Sequence, residues 1–72
     1  LFCKTYLFTI REQEVFQHLL EEKNNKLISE SLYISVGTVK AHVHNIFIKT
    51  DVSNRRELLQ LYNKWIENQV IC

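Results

Sequence analysis

Apolar positions along the chain recur at helical spacing. Val15, Phe16, Leu19 and Leu20 form one stripe, while Gln13, Glu14 and Glu21 fall on the opposite, solvated side. Ile28 and Leu32 are the inward residues of a shorter segment, and Val39, Val43 and Ile46 follow at steps of four and three. Leu58, Leu61, Tyr62, Trp65 and Ile66 make a last stripe, which Leu59 widens. Strand-like alternation is nowhere sustained, and the chain has no proline and a single glycine. The pattern predicts an all-α, four-helix domain with helices at about 10–22, 25–32, 36–50 and 54–68.

Capping residues sharpen these boundaries. Thr9 and Glu12 are spaced as a capping box, in which hydroxyl and carboxylate each satisfy an orphan amide of the helix start. Asn24 and Ser35 are N-caps for the second and third helices, and Asn54 with Glu57 offers a second box. Asp51 tolerates the left-handed conformation that closes many helices. The second helix has barely two turns, too short to be stable alone, so its neighbours must hold it. A short helix, a tight turn and a longer helix with a polar face read as a helix-turn-helix, a grammar that other small helical bundles share.

The third helix separates into two sides at about 100° per residue. Val39, His42, Val43 and Ile46 belong to the core side, with His42 expected to pack half-buried and hydrogen-bond a neighbouring turn. Gly37, Lys40, Ala41, His44 and Ile48 share the outer side. Near the N-terminal end this side is small, polar and nearly flat, as a helix must be to sit low in a DNA major groove. Lys40 and His44 can donate to guanine acceptors, Ala41 can touch a thymine methyl, and Gly37 lets the backbone approach. Thr38 can reach a phosphate oxygen, helped by the helix start. The two histidines do not make a metal site: His42 and His44 lie about 200° apart, whereas chelating pairs need an i, i+4 spacing. His18 lies on another helix without matching ligands. No nucleophile, paired acid or glycine-rich phosphate loop accompanies the histidines, so an enzyme is the reading least supported. No cofactor is implied.

Composition adds bounds. At 46% hydrophobic and 24% charged, the 72 residues describe one folded unit. Apolar runs fall far short of the roughly 20 residues that span a bilayer, and the opening residues lack the order of a secretory signal. A cytoplasmic setting and no membrane partner are the expectation. Cys3 and Cys72 form neither a zinc pattern nor a disulfide framework. A start at Leu1 and the absence of methionine suggest a piece of a longer parent, with residues 1–8 a linker remnant or N-terminal extension and 9–72 the domain. The net charge of +1 says little, but its distribution says more. Residues 1–35 carry Lys4, Arg11, Lys23 and Lys26 against Glu12, Glu14, Glu21, Glu22 and Glu30. Residues 36–56 carry Lys40, Lys49, Arg55 and Arg56 against Asp51 alone, a positive footprint suited to a polyanion, with Arg55 a candidate phosphate contact.

The segments FTIREQEVF, NKLISESLYISVGTVKAHVHNI and DVSNRREL closely resemble the C-terminal DNA-binding domain of the LuxR/GerE family of bacterial transcription regulators. The resemblance runs without a gap from about Phe8 to Leu59. It implies a four-helix domain whose third helix enters the major groove, with Lys40, Ala41 and His44 facing bases and Thr38, Asn45 and Lys49 approaching phosphates or steadying the helix. It also implies a homodimer through the fourth helix, for which Leu58, Tyr62 and Trp65 are the candidate surface. RNA polymerase is a further candidate partner. Departures are local. Glu22 and Asp51 stand where the family usually has glycine, and Thr50 where it has leucine. Leu27 replaces an acidic residue, leaving Asn24 a cap without its box partner and exposing an apolar side chain, and Ser29 replaces an alanine.

Two readings follow. One is sequence-specific binding of double-stranded DNA, for which the promoter-reading helical domain of a sigma factor is a less well matched variant. The other is a helical protein-interaction module that keeps the scaffold without DNA binding, suggested by the low net charge, Leu27 and the apolar fourth helix with Trp65.

Overall fold

The computed structural model describes residues 5–71, with side chains through residue 67; Cys3 and Cys72, the two cysteines considered above, lie outside the described residues. Its helices are α1 (Ile10–Leu20), α2 (Asn25–Leu32), α3 (Val36–Thr50) and α4 (Arg55–Ile71). Against the expected boundaries, α1 ends two residues early and α4 extends three residues further.

Each helix begins where its cap dictates. Thr9 and Glu12 form the complete box: the Glu12 amide donates to Thr9 Oγ1 at 3.1 Å, and the Thr9 amide donates to Glu12 Oε1 at 2.9 Å. Asn24 Oδ1 accepts from the Leu27 amide at 2.9 Å with no reciprocal bond from Leu27, as the apolar side chain there requires. Ser35 Oγ accepts from the Thr38 amide at 3.1 Å. At α4 the second box is altered. Asn54 Oδ1 accepts from the Glu57 amide at 2.9 Å, but the Glu57 carboxylate reaches past Asn54 to the Ser53 amide at 2.7 Å.

Three helices also end alike. Glu22, Tyr33 and Asp51 take φ values of 61°, 57° and 58° just after α1, α2 and α3. Each turn closes with an amide reaching five residues back: Lys23 to His18 O, Ile34 to Ser29 O and Val52 to Phe47 O. This pattern satisfies carbonyls that a helix end leaves orphaned. Glu22 and Asp51 thus hold, with side chains, the left-handed backbone that glycine adopts freely, and such residues cost on the order of 1–2 kcal/mol each. The early end of α1 follows from this turn at Glu22, which periodicity alone did not reveal.

The core is Phe8, Val15, Phe16, Leu19, Ile28, Val39, Ile46 and Leu58. α1 and α2 both pack on α3. Phe8 and Tyr62 each meet Phe16 edge to face at 5.4 Å between ring centres, so the segment before α1 and the middle of α4 close over the same ring. Phe8, counted within the leading 1–8 segment from sequence, is therefore a core residue, and Tyr6 packs against the same cluster. Two buried hydroxyls bond their own helices: Ser29 Oγ donates to Lys26 O, and Thr50 Oγ1 donates to Ile46 O, both at 2.7 Å.

Candidate nucleic-acid interface

α3 spans 15 residues and contains no acidic side chain. Val39 and Ile46 are fully buried, Val43, His42 and Phe47 are half-buried, and Gly37, Lys40, Ala41, His44, Asn45 and Ile48 are exposed. At helical spacing Gly37, Ala41, His44 and Ile48 form the outermost ridge, with Lys40 along one flank and Asn45 along the other. The structure therefore brings the four residues expected to face bases onto one solvent-facing strip. A Cβ built on Gly37 would meet only Ser35 Oγ, at 3.9 Å, so nothing inside the domain requires a glycine there. Its φ is not positive, which removes a conformational reason as well.

The start of α3 is electropositive by construction. Ser35 occupies the Thr38 amide, leaving the amides of Val36 and Gly37 for an outside acceptor at the positive end of the helix dipole. The Thr38 hydroxyl shares a hydrogen bond with Ser35 Oγ at 2.8 Å and remains exposed. Two apolar residues on this face carried no assigned role in the sequence: Val36, 38% exposed beside Lys40, and Ile48, 64% exposed at the far end of the ridge. Helical spacing signals both.

The other end of α3 is arranged differently. Lys49, expected to approach a phosphate or steady the helix, directs its ammonium into the domain. Nζ is hydrogen-bonded and ion-paired to Glu12 Oε1 and donates to the Leu7 carbonyl at 2.9 Å. Glu12 is 3% exposed. Burial on its own would raise the pKa of its carboxyl, but the Lys49 hydrogen bond, the Thr9 amide and the charges of Lys49 and His42 outweigh this and hold it below its ordinary value. His42 does not make the hydrogen bond expected of it: among the described residues its ring has no such partner, and its influence is felt through Glu12. The Glu12–Lys49 pair was not foreseen, since 37 residues of sequence separate its members.

Arg55, half-buried, donates from Nη2 to Asn25 Oδ1 at 3.3 Å and so ties the start of α4 to the start of α2. Arg56 and Lys26 are exposed nearby in sequence to this junction. On α4, Leu58 is fully buried, which removes it from the expected dimer surface: its position points into the core. Tyr62 and Trp65 are half-buried and pack against the core with part of each still accessible. Leu27 is 49% exposed. Among the described residues, no three His, Cys, Asp or Glu side chains come together as metal ligands, and no helix is long and apolar enough to cross a membrane.

Residues 7–62 match the family model described as bacterial regulatory proteins of the luxR family. The chain is similar to the monoamine regulon transcriptional regulator of Klebsiella aerogenes, 47% identical over 53 residues that cover 74% of this chain and 23% of that protein. It is similar to the transcriptional regulatory protein DegU of Brevibacillus brevis, 39% identical over 64 residues covering 86% and 27%. A third relative, LiaR of Bacillus subtilis (strain 168), is 47% identical over 49 residues, covering 68% and 23%. The chain thus spans about a quarter of the length of these relatives. No solved structure matches it. From the family match over most of its length, the chain belongs to the luxR family of bacterial regulatory proteins.

Proposed function

We propose that this domain reads the sequence of double-stranded DNA for a bacterial transcription regulator, with α3 seated in the major groove. The observation that carries the reading is the outer strip of α3: exposed, free of acidic residues, small at Gly37 and Ala41, and polar at Lys40 and His44. Relatives named as transcriptional regulators support it. Lys40 and His44 donate to base acceptors, Ala41 touches a thymine methyl, and Gly37 lets the backbone approach. Thr38, Asn45 and Arg55 supply phosphate contacts together with the amides at the start of α3. Each well-made base contact is worth about 1–3 kcal/mol of discrimination, and a single module of this size covers roughly 600–1,000 Å², so one copy binds weakly. A second copy supplies the remainder through α4, by the accessible parts of Tyr62 and Trp65. The site of action is the cytoplasm.

Fluorescence anisotropy of labelled duplexes over a salt series tests the reading. Neutralised phosphates release counterions, so affinity should fall steeply as salt rises. Binding that ignores salt, or no binding to any duplex, overturns it in favour of a protein-interaction module. Light scattering with and without duplex tests the dimer: a strict monomer in both states removes the α4 interface.

A further inference from the structure

The domain holds one nearly fully buried carboxylate among its described residues, and that group joins three separate parts of the chain. Glu12 completes the cap of α1 through the Thr9 amide and pairs with Lys49 near the C-terminal end of α3. Lys49 in turn holds the Leu7 carbonyl, where the backbone turns left-handed at φ 58° before entering the core at Phe8. We propose that Glu12 and Lys49 are positioning residues for DNA reading, fixing α3 against α1 from its far end so that Lys40, Ala41 and His44 meet the bases in register.

The inference rests on the DNA-reading function proposed above and adds two side chains to it, neither of which touches DNA. First, α3 has only two fully buried side chains, Val39 and Ile46, and apolar contacts alone tolerate sliding and rolling of a helix along its neighbour. A charge-assisted bond from the partly exposed Lys49 ammonium to the buried Glu12 carboxylate is directional and supplies what packing lacks. Second, the ammonium spends two of its three protons on Glu12 and Leu7, which leaves it poorly placed to neutralise a phosphate. Third, the bond lies about one and a half turns beyond His44 on the same rigid helix, so a small roll at Lys49 is transmitted along the reading strip.

Anisotropy on two duplexes separates positioning from phosphate contact. One duplex is recovered by in vitro selection with the unaltered domain, the other is its scrambled counterpart, and both are titrated over a salt series. Positioning requires that Lys49→Met and Glu12→Gln each weaken the selected duplex by on the order of tenfold while changing the scrambled one little, which shrinks the ratio between them. The salt slope then stays as in the unaltered domain, and the double variant is no worse than the weaker single one. Thr9→Ala, which removes the cap but not the Lys49 pair, serves as the stability control and keeps the ratio. The conservative Lys49→Arg restores most of it.

A phosphate contact gives the opposite result: Lys49→Met weakens both duplexes equally and lowers the salt slope by about 1, while Glu12→Gln binds normally or more tightly. That outcome overturns the proposal, as does a ratio unchanged in every variant. If Lys49→Met does not fold by circular dichroism, Glu12→Gln, which keeps an oxygen for the Thr9 amide, decides alone by the same ratio. Salt-dependent binding by the unaltered domain with no effect of either substitution sinks the positioning role and leaves the function intact. Failure of the unaltered domain to bind any duplex sinks both.

Discussion

The two ends of α3 are built to opposite ends. In its first half the side chains facing outward are small or uncommitted, and the helix start leaves amides open at Val36 and Gly37. In its last turn nearly every polar group is engaged: Thr50 Oγ1 with the Ile46 carbonyl, Lys49 with Glu12 and Leu7, and the Val52 amide with the Phe47 carbonyl. The helix is gripped at one end and offered at the other. Specific reading of a rigid groove needs both, because an exposed strip that rolls freely loses its geometry. The cost of the grip appears in the turns, where Glu22, Tyr33 and Asp51 are held left-handed without glycine, while the chain's single glycine stands at the offered end.

The largest effect should come from loosening the gripped end. Ile46→Ala removes a fully buried side chain where α3 meets the core, and a loss of about 2–5 kcal/mol is expected in urea unfolding. In a domain this small that is enough to leave much of the population unfolded. A midpoint shift equivalent to less than 0.5 kcal/mol contradicts the packing described. At the offered end, Lys40→Ala together with His44→Ala should do the reverse. Stability stays within about 0.5 kcal/mol, as for ordinary surface changes, while affinity for a selected duplex falls by about 1–3 kcal/mol per lost base contact.

The Glu12–Lys49 pair gives the comparison a pH signature. Glu12 is faced by Lys49, His42 and the Thr9 amide, and its folded pKa lies below its ordinary value. The stability it contributes is therefore complete above the unfolded carboxylate pKa of about 4.3 and is lost as pH falls through the lower folded value. Thermal melts of the unaltered domain should drop in that acid window, and Glu12→Gln should flatten the drop. A variant whose acid limb is superimposable on the original argues against the pair.

Smaller effects probe the glycine exchange. Glu22→Gly should stabilise by about 0.5–1 kcal/mol, because relief of left-handed strain exceeds the extra freedom gained by the unfolded chain. Gly37→Ala should raise stability by up to about 1 kcal/mol, since space is open and alanine favours helix, yet it should weaken DNA binding. Tighter binding by Gly37→Ala would show that no backbone approaches there.

What the sequence made legible and what it hid divide along the same line. Thr9, Asn24, Ser35 and Asn54 act within three residues of themselves, so local spacing announced them, and the outer strip of α3 followed from periodicity alone. Asp51 was readable as a left-handed terminator because its type tolerates that conformation. Glu22 and Tyr33 were not, since the paired backbone bonds around them impose it regardless of side chain. Leu58 illustrates a further limit: on a helix with a wide apolar face, periodicity places residues on that face without saying which are sealed inside the monomer. The Glu12–Lys49 pair was invisible for a plainer reason, that contacts between distant segments leave no trace in local pattern.

The most direct test of the central claim is an in vitro selection of duplexes, run in parallel on the unaltered domain and on Lys40→Ala and His44→Ala at matched stability. Each substitution should erase base preference at its own one or two positions of the site while the rest of the selected sequence is kept. Identical selected sequences from all three proteins would contradict it.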